Sequence, residues 1–349
     1  MNRSSRRSFV SDNNAPVAPE ILQAIVDANL GDAAAYGDDP WTARAIERFK
    51  LHFGEETGVF FCLNGTGANV GAMSSLLRPW EAVLAPATAH LQTDECGALE
   101  RFNGSKVIPI ATSDGKLKPS DVEPYLRAAN EVHFPQPRAI SISQATEFGG
   151  LYELDELREL CSFAHERGLI VHLDGARLAN AAVALGVNLR QATVELGVDV
   201  LSFGGTKNGL MLGEAVCFFD PALHAGAAPF VQKQSMQLGS KMRYIAAQLD
   251  ALLAGDRWHR YASHANAMAQ RLYHRVREIP GVRVTRPVRC NAVFAALDRG
   301  AIDRIQSEYF FYVFDEELPE VRWMTHWATA EADIDEFTRC VERALQDAS

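Results

Sequence analysis

Short, wholly apolar segments alternate with helical patterns through the first two-thirds of the chain. Of all the features of the sequence, this alternation most restricts the folds that the chain can adopt. The apolar segments predict strands at 59–63, 83–84, 106–110, 139–143, 169–173, 198–203 and 215–219. Helical spacing of apolar residues occurs between them at 66–77 and 154–167. Strands that are apolar on both faces are typical of a mostly parallel sheet covered by helices. We therefore expect an α/β fold that binds ligands at the carboxyl ends of its strands.

The pattern changes after about residue 230, where long helices replace the strand–helix alternation. Helices are predicted at 246–253, 262–278 and 334–345, with short strands at 282–285, 292–296, 310–314 and 321–325. This arrangement predicts a smaller α+β domain. We expect a flexible tail over 1–8, a large domain over 9–240 and a small domain over 241–349. The N-terminal segment can pack with the small domain.

Charge and cysteine content limit the class of partner. The chain carries 34 basic and 44 acidic residues, a net charge of -10, which disfavours binding to nucleic acid or an anionic membrane. Its six cysteines are scattered without a paired spacing, so we expect reduced thiols and no bound metal. No apolar run suggests a secretory signal or a membrane span, so we expect a cytoplasmic protein that acts on a small molecule.

An acid and an amine each follow a strand that is predicted to be buried. Asp174 ends the 169–173 strand, where it either caps the next helix or pairs with a pyridinium nitrogen and keeps that ring protonated. Lys207 lies in the small-residue loop 204–209. It is either a solvated loop lysine or a desolvated amine suited to forming an imine. The glycines of this loop would let a cofactor approach, and the Thr206 hydroxyl would bind its phosphate.

A small-residue turn, Gly65-Thr66-Gly67, joins the first predicted strand to a helix. The free N–H groups of a helix N-terminus form an anion site, although such a turn can also be purely structural. The turn lacks the dinucleotide-binding glycine pattern, because Val70 occupies the sixth position, and it lacks the Gly-Lys-Ser/Thr of a P-loop.

Two histidines are candidates for proton transfer. His90 follows the 83–84 strand, and an imidazole there could stack on an aromatic cofactor and accept a proton. His133 precedes an extended, proline-containing segment. The sequence does not choose between these two side chains, or a water held by one of them, as the base.

The order of these features along the chain resembles that of fold-type-I pyridoxal-phosphate enzymes. From residue 9 to about 344 the chain closely resembles the low-specificity L-threonine aldolase family. The matching motifs are Ser11-Asp12, Tyr36-Gly37-Asp38-Asp39-Pro40, Gly65-Thr66-Gly67-Ala68-Asn69, Ala89-His90, His172-Leu173-Asp174-Gly175-Ala176-Arg177, Lys207, Met242-Arg243 and Val321-Arg322. The chain departs from the family at Gln144-Ala145-Thr146-Glu147, at Thr206-Lys207-Asn208 and over 310–320. The first two departures lie beside the expected cofactor, so they bear on substrate preference.

The resemblance implies a mostly parallel seven-stranded sheet flanked by helices, a small C-terminal domain and an aldehyde-lyase that uses pyridoxal 5'-phosphate. The cofactor would form an imine with Lys207. The other residues implied to bind it are Asp174, Arg177, Gly65, Thr66, Gly67, His90, Thr206, Gln144 and Arg243. The substrate would be bound by Ser11, Arg177, Arg322 and Tyr36.

The implied reaction cleaves the Cα–Cβ bond of a β-hydroxy-α-amino acid, such as L-threonine, L-allo-threonine or phenylserine, to glycine and an aldehyde. The family also implies a homotetramer, a dimer of dimers, with active sites at subunit interfaces where Tyr36 and Arg243 reach a neighbour's cofactor.

Two alternative functions remain open at this point. One is another pyridoxal-phosphate reaction, such as β-elimination, transamination or decarboxylation, and the other is a non-catalytic binding protein of the same fold.

Overall fold

A seven-stranded sheet forms the centre of the first part of the chain. The computed structural model describes residues 7–127, 130–224 and 226–346, so residues 1–6 of the expected tail lie outside the described residues. The strands are β1 (Gly58–Cys62), β2 (Glu81–Pro86), β3 (Lys106–Ile110), β4 (Gln136–Ser143), β5 (Ile170–Gly175), β6 (Val200–Gly204) and β7 (Glu214–Phe218). Their order is β1-β7-β6-β5-β4-β2-β3. Strand β7 runs in the direction opposite to the other six strands, so the predicted mostly parallel sheet is confirmed.

The strands of this sheet carry runs of consecutive apolar residues because both faces are covered. Leu84 on β2 and Val171 on β5 belong to the core on one face. Their neighbours Val83 and Ile170 belong to the core on the other face. Successive side chains of a strand point to opposite faces, so a two-sided core requires an unbroken apolar run.

The helices surround the two sheets. Those of the first part of the chain are α1 (Pro19–Asp27), α2 (Pro40–Phe53), α3 (Gly65–Leu76), α4 (His90–Thr93), α5 (Ala98–Asn103), α6 (Pro119–Val122), α7 (Leu154–Glu166), α8 (Leu178–Leu185), α9 (Pro221–His224) and α10 (Ala228–Gln234). The later ones are α11 (Arg243–Leu253), α12 (Arg257–Val276), α13 (Arg299–Glu308) and α14 (Glu331–Gln346). None of these helices in the described part of the chain is long and apolar enough to cross a membrane.

A second, antiparallel sheet follows α12. Its strands are β8 (Arg283–Val284), β9 (Ala292–Ala296), β10 (Val313–Asp315) and β11 (Glu320–Met324), in the order β10-β11-β9-β8. Phe9 and Val10 pack in the core of this sheet, and the N–H of Met324 donates to the carbonyl of Phe9 at 2.8 Å. By contrast, Ile245 on α11 packs in the core of the first sheet. The domain boundary at residue 240 stays a prediction.

Candidate active site

The carboxyl ends of the parallel strands open into a cavity of about 960 Å³. Its walls come from the loops after β1, β2, β4, β5 and β6, and from the second sheet. The predicted site residues that line it are Ser11, Gly65, Thr66, His90, Asp174, Arg177, Thr206, Lys207 and Arg322. A volume of this size matches the upper range of small-molecule sites, roughly 300–1,000 Å³.

Asp174 stands near the end of β5 with its carboxylate fixed by two donors. Oδ2 accepts from Asn69 Nδ2 at 2.8 Å, and Oδ1 accepts from the N–H of Ala176 at 3.0 Å. Burial by itself would raise the pKa of Asp174, but the Asn69 hydrogen bond and the charge of Lys207 outweigh it and lower the pKa. The site therefore holds a partly buried carboxylate that favours the ionised form and borders the cavity.

His90, the first residue of α4, connects to Asp174 through a buried hydrogen-bond network. Its Nδ1 lies 2.8 Å from Oε1 of Glu95, which also accepts from Asn69 Nδ2 at 2.7 Å. The Glu95 bond raises the pKa of His90 although partial burial opposes the rise. This network fixes the orientation of an imidazole that borders the cavity.

Lys207 follows β6 and extends its amine into the cavity. Burial, with the like charge of Arg177, lowers the pKa of Lys207, so more of the amine is neutral and nucleophilic than in water. The glycines before it are required by close contacts within the protein. A Cβ on Gly204 would lie 2.5 Å from the Cα of Ala176, and one on Gly205 would lie 2.6 Å from the carbonyl of Gly213. These glycines therefore let backbone approach backbone, and their expected role in admitting a cofactor stays a prediction.

The small-residue turn after β1 begins α3, and Asn64 caps this helix. The Asn64 side chain accepts from the N–H of Gly67 at 2.8 Å, and a Cβ on Gly67 would collide with Gln237. Gly67 does not line the cavity, so its predicted contact with the phosphate is not supported. Gly65 and Thr66 do line it, and the first N–H groups of a helix have no partner within the helix.

Two arginines border the cavity, one in an ion pair and the other without one among the described residues. Arg177 is paired with the buried Asp12, through Nε to Oδ2 at 2.7 Å and Nη2 to Oδ1 at 2.8 Å. Arg322, on β11, makes no ion pair within the described ranges, and its guanidinium carbon lies 5.8 Å from the centre of the Phe314 ring. Burial, with the nearby charge of Arg177, lowers the pKa of Arg322. A buried cation beside a like charge is a strong binding site for an anion.

Three predicted residues lie away from the cavity of their own chain. His133 is exposed and precedes β4 at the amino end of the parallel strands, opposite the cavity. Tyr36 is 52% exposed and borders a separate cavity of about 150 Å³. Arg243 donates to the carbonyl of Gly31 at 3.0 Å. Within one chain, His90 is thus the predicted base that borders the site.

The predicted cofactor contact of Gln144 is not supported. Its amide is buried against the backbone of Tyr152, donating to the carbonyl at 2.9 Å and accepting from the N–H at 3.0 Å. The side chain therefore closes the loop after β4, and the neighbouring Ala145 and Glu147 line the cavity instead.

Glu214, at the start of β7, lies beside the lysine loop. Its Oε2 accepts from the N–H of Gly205 at 2.6 Å, and its side chain is hydrogen-bonded to Thr206. Burial raises the pKa of Glu214 to about 7, although the Thr206 bond and the charge of Lys207 oppose the rise.

This raised pKa predicts that the stability of the folded protein depends on pH. The folded chain favours the protonated acid, so stability falls as pH rises from the ordinary pKa of 4.5 through about 7. We expect Glu214→Gln to stabilise the cofactor-free protein by about 3 kcal/mol at pH 8 and by much less at pH 5. Melting curves at both pH values test this, and an equal gain at the two would contradict it.

The residues of the cavity fit pyridoxal 5'-phosphate. Asp174 supplies a partly buried carboxylate, Lys207 a desolvated amine, and α3 a helix N-terminus suited to a phosphate. Thr88 Oγ1 and Glu147 Oε2 are buried polar atoms with no partner in the described part of the chain. Such atoms are costly unless a ligand satisfies them.

Several residues at the site had no assigned role in the sequence-based predictions. Asp12 and Asn69 lie inside matching motifs, so the motifs themselves contained the signal. Glu147 is part of a departure from the family, and Glu214 and Glu95 gave no signal at all. Some of these side chains acquire their partners from distant parts of the chain, as in the pairs Asp12–Arg177 and Asn69–Glu95.

Fold and cavity together define a lyase of the fold-type-I class, and the comparisons with known proteins agree. A family model for beta-eliminating lyases matches residues 8–299. A low-specificity L-threonine aldolase of Pseudomonas sp. (strain NCIMB 10558) is 42% identical over 341 residues, which cover 97% of this chain and 98% of the relative. A Pseudomonas aeruginosa protein of the same name gives the same identity over the same length.

Solved structures support the same assignment. A threonine aldolase of Leishmania major superposes with a TM-score of 0.90 at 30% identity, covering 98% of this chain and 99% of the other. The chain belongs to the beta-eliminating lyases and, within them, to the low-specificity L-threonine aldolase family.

Proposed function

We propose that this enzyme uses pyridoxal 5'-phosphate to cleave L-threonine, L-allo-threonine and similar β-hydroxy-α-amino acids to glycine and an aldehyde. The observation that carries the proposal is the convergence of a partly buried carboxylate, Asp174, and a desolvated amine, Lys207, on one cavity. When bound there, the cofactor supplies an electron sink for the bond that breaks at Cα. Asp174 would keep the pyridine nitrogen protonated, and Lys207 would attach the cofactor.

The remaining residues orient the two ligands. The phosphate would be held by Thr206 and by the N–H groups of Gly65 and Thr66, with the imidazole of His90 stacked on the ring. The substrate carboxylate would bind Arg322, with Arg177 and the hydroxyl of Ser11 beside it. Asp12 occupies one edge of the Arg177 guanidinium, which leaves the opposite edge for the substrate. Fixing the carboxylate sets which bond at Cα stands perpendicular to the cofactor ring and is cleaved.

We also propose that the active sites are shared between subunits of a homotetramer. Tyr36 and Arg243, which lie outside the cavity of their own chain, would then reach the cofactor of a neighbour. Two exposed apolar side chains support this arrangement: Phe230 is 76% exposed and Met236 is 65% exposed. Lys233, which lies between them in the chain, has its amine 4.7 Å from the centre of the Tyr36 ring. If His133 takes part in catalysis, it would likewise act in the active site of a neighbouring subunit. A cytoplasmic location stays a prediction.

Product analysis tests the proposed reaction. We expect glycine and one equivalent of aldehyde from each β-hydroxy-α-amino acid that the enzyme accepts, with no 2-oxo acid. Ammonia and a 2-oxo acid that keeps every carbon of the substrate, such as 2-oxobutyrate from threonine, would establish β-elimination as the reaction if they formed in place of glycine. A panel of threonine, allo-threonine and phenylserine, scored by aldehyde release, would also rank the side chains that the enzyme accepts.

A further inference from the structure

Glu147 is a partly buried residue in the wall of the cavity, and one oxygen of its carboxylate has no hydrogen-bond partner in the described part of the chain. Its Oε1 accepts from Ser143 Oγ at 2.6 Å and from the backbone N–H of His90 at 3.2 Å. Its Oε2 is buried without a partner in the described part of the chain. Two donors thus fix the carboxylate, while its second oxygen has no hydrogen bond from the protein itself. A buried carboxylate oxygen in this state is costly unless a bound ligand donates to it.

The surroundings of Glu147 suit a group that takes up a proton. Burial raises the pKa of Glu147, although the Ser143 bond opposes the rise, and the negative charge of Asp174 adds to it. Arg177 and Arg322, the two arginines of the proposed carboxylate site, interact electrostatically with Glu147, and all three side chains line the same cavity. A substrate anchored by its carboxylate at these arginines would therefore occupy the cavity that Glu147 borders.

We propose that Glu147 accepts a hydrogen bond from the β-hydroxyl of the substrate and takes its proton as the Cα–Cβ bond breaks. This assignment rests on the proposed aldol cleavage. The O–H electron pair becomes the second bond of the aldehyde carbonyl, and the Cα–Cβ pair stays with the glycine fragment. Cα then receives one proton, so that one proton leaves oxygen and one arrives at carbon. The step requires no oxidant or reductant.

His90 is less suited to this step. Its Nδ1 is bonded to Glu95, and its proposed contact with the cofactor uses the face of the ring rather than its edge. Glu147 also belongs to Gln144-Ala145-Thr146-Glu147, where the chain departs from the common family pattern. The base would accordingly be a feature of this chain and of relatives that share the segment.

Glu147→Gln tests the assignment, because it removes the base and keeps the shape and an acceptor oxygen. Two reactions of the holoenzyme are compared: aldehyde release from threonine, and exchange of the Cα hydrogen of glycine in D₂O, followed by NMR. Glycine has no β-hydroxyl, so its exchange does not need the proposed base. We expect aldehyde release to fall about 10²- to 10³-fold, the range for loss of a general base. Glycine exchange and the Kd of glycine should stay within about twofold.

Controls separate catalysis from structure. Glu159→Gln, at an exposed position of α7, should leave both reactions unchanged. Glu147→Asp keeps the acid and should retain more aldehyde release than Glu147→Gln. Unchanged aldehyde release in Glu147→Gln would overturn the assignment. A parallel fall of both reactions would overturn it as well, because it would mark a structural role. Wild-type enzyme that exchanges glycine but releases no aldehyde would overturn the proposed function along with it.

Discussion

Replacing Lys207 by alanine is expected to abolish the visible absorbance of the purified enzyme and its turnover. The amine is the proposed attachment point of the cofactor, and its burial beside Arg177 lowers its pKa and so increases the fraction that is neutral and nucleophilic. We expect turnover to fall by at least about 10³-fold, as when a group that forms a covalent bond during catalysis is removed. Wild-type absorbance should in turn be abolished by borohydride, which reduces an imine.

The matched control is Lys118→Ala, which removes an exposed lysine that begins α6. This variant should keep both the absorbance and the turnover of the wild type. Full activity in the Lys207 variant would contradict the mechanism, and a colourless wild-type protein would weaken the case for the cofactor.

Asp174→Asn is expected to lower turnover about 10²- to 10³-fold while the cofactor stays bound. The asparagine preserves the shape of the side chain and can still accept from the N–H of Ala176, but it removes the charge that would keep the pyridine nitrogen protonated. The loss should therefore appear in kcat more than in KM, with a shifted absorbance band. Asp155→Asn, at an exposed position of α7, is the control. Unchanged kcat in Asp174→Asn would exclude the proposed pairing.

The strands of the first sheet were predictable because a two-sided core demands a continuous apolar run. Strand β3 was predicted at its observed bounds, and β2 was predicted too short because Glu81 and Pro86 at its ends are not typical strand residues. The strands of the second sheet were harder to predict from the sequence. The 310–314 segment predicts a strand, yet β10 is Val313–Asp315. Packing of Phe311 in the core of the second sheet explains its apolar pattern without a strand.

Motif order brought Asp174, Lys207 and His90 to one site, because the carboxyl ends of parallel strands meet at one edge of a sheet. Arg322, which lies on β11 of the second sheet, was assigned to the site through the family resemblance alone. The identity of the fold and the chemistry of this acid–amine pair were therefore contained in the sequence. The tertiary structure decided which neighbouring groups are satisfied internally and which face the cavity. Gln144 is tied to Tyr152, whereas Glu147, three residues away, has a carboxylate oxygen free. Such differences depend on burial and on partners far apart in the chain, neither of which a local pattern specifies.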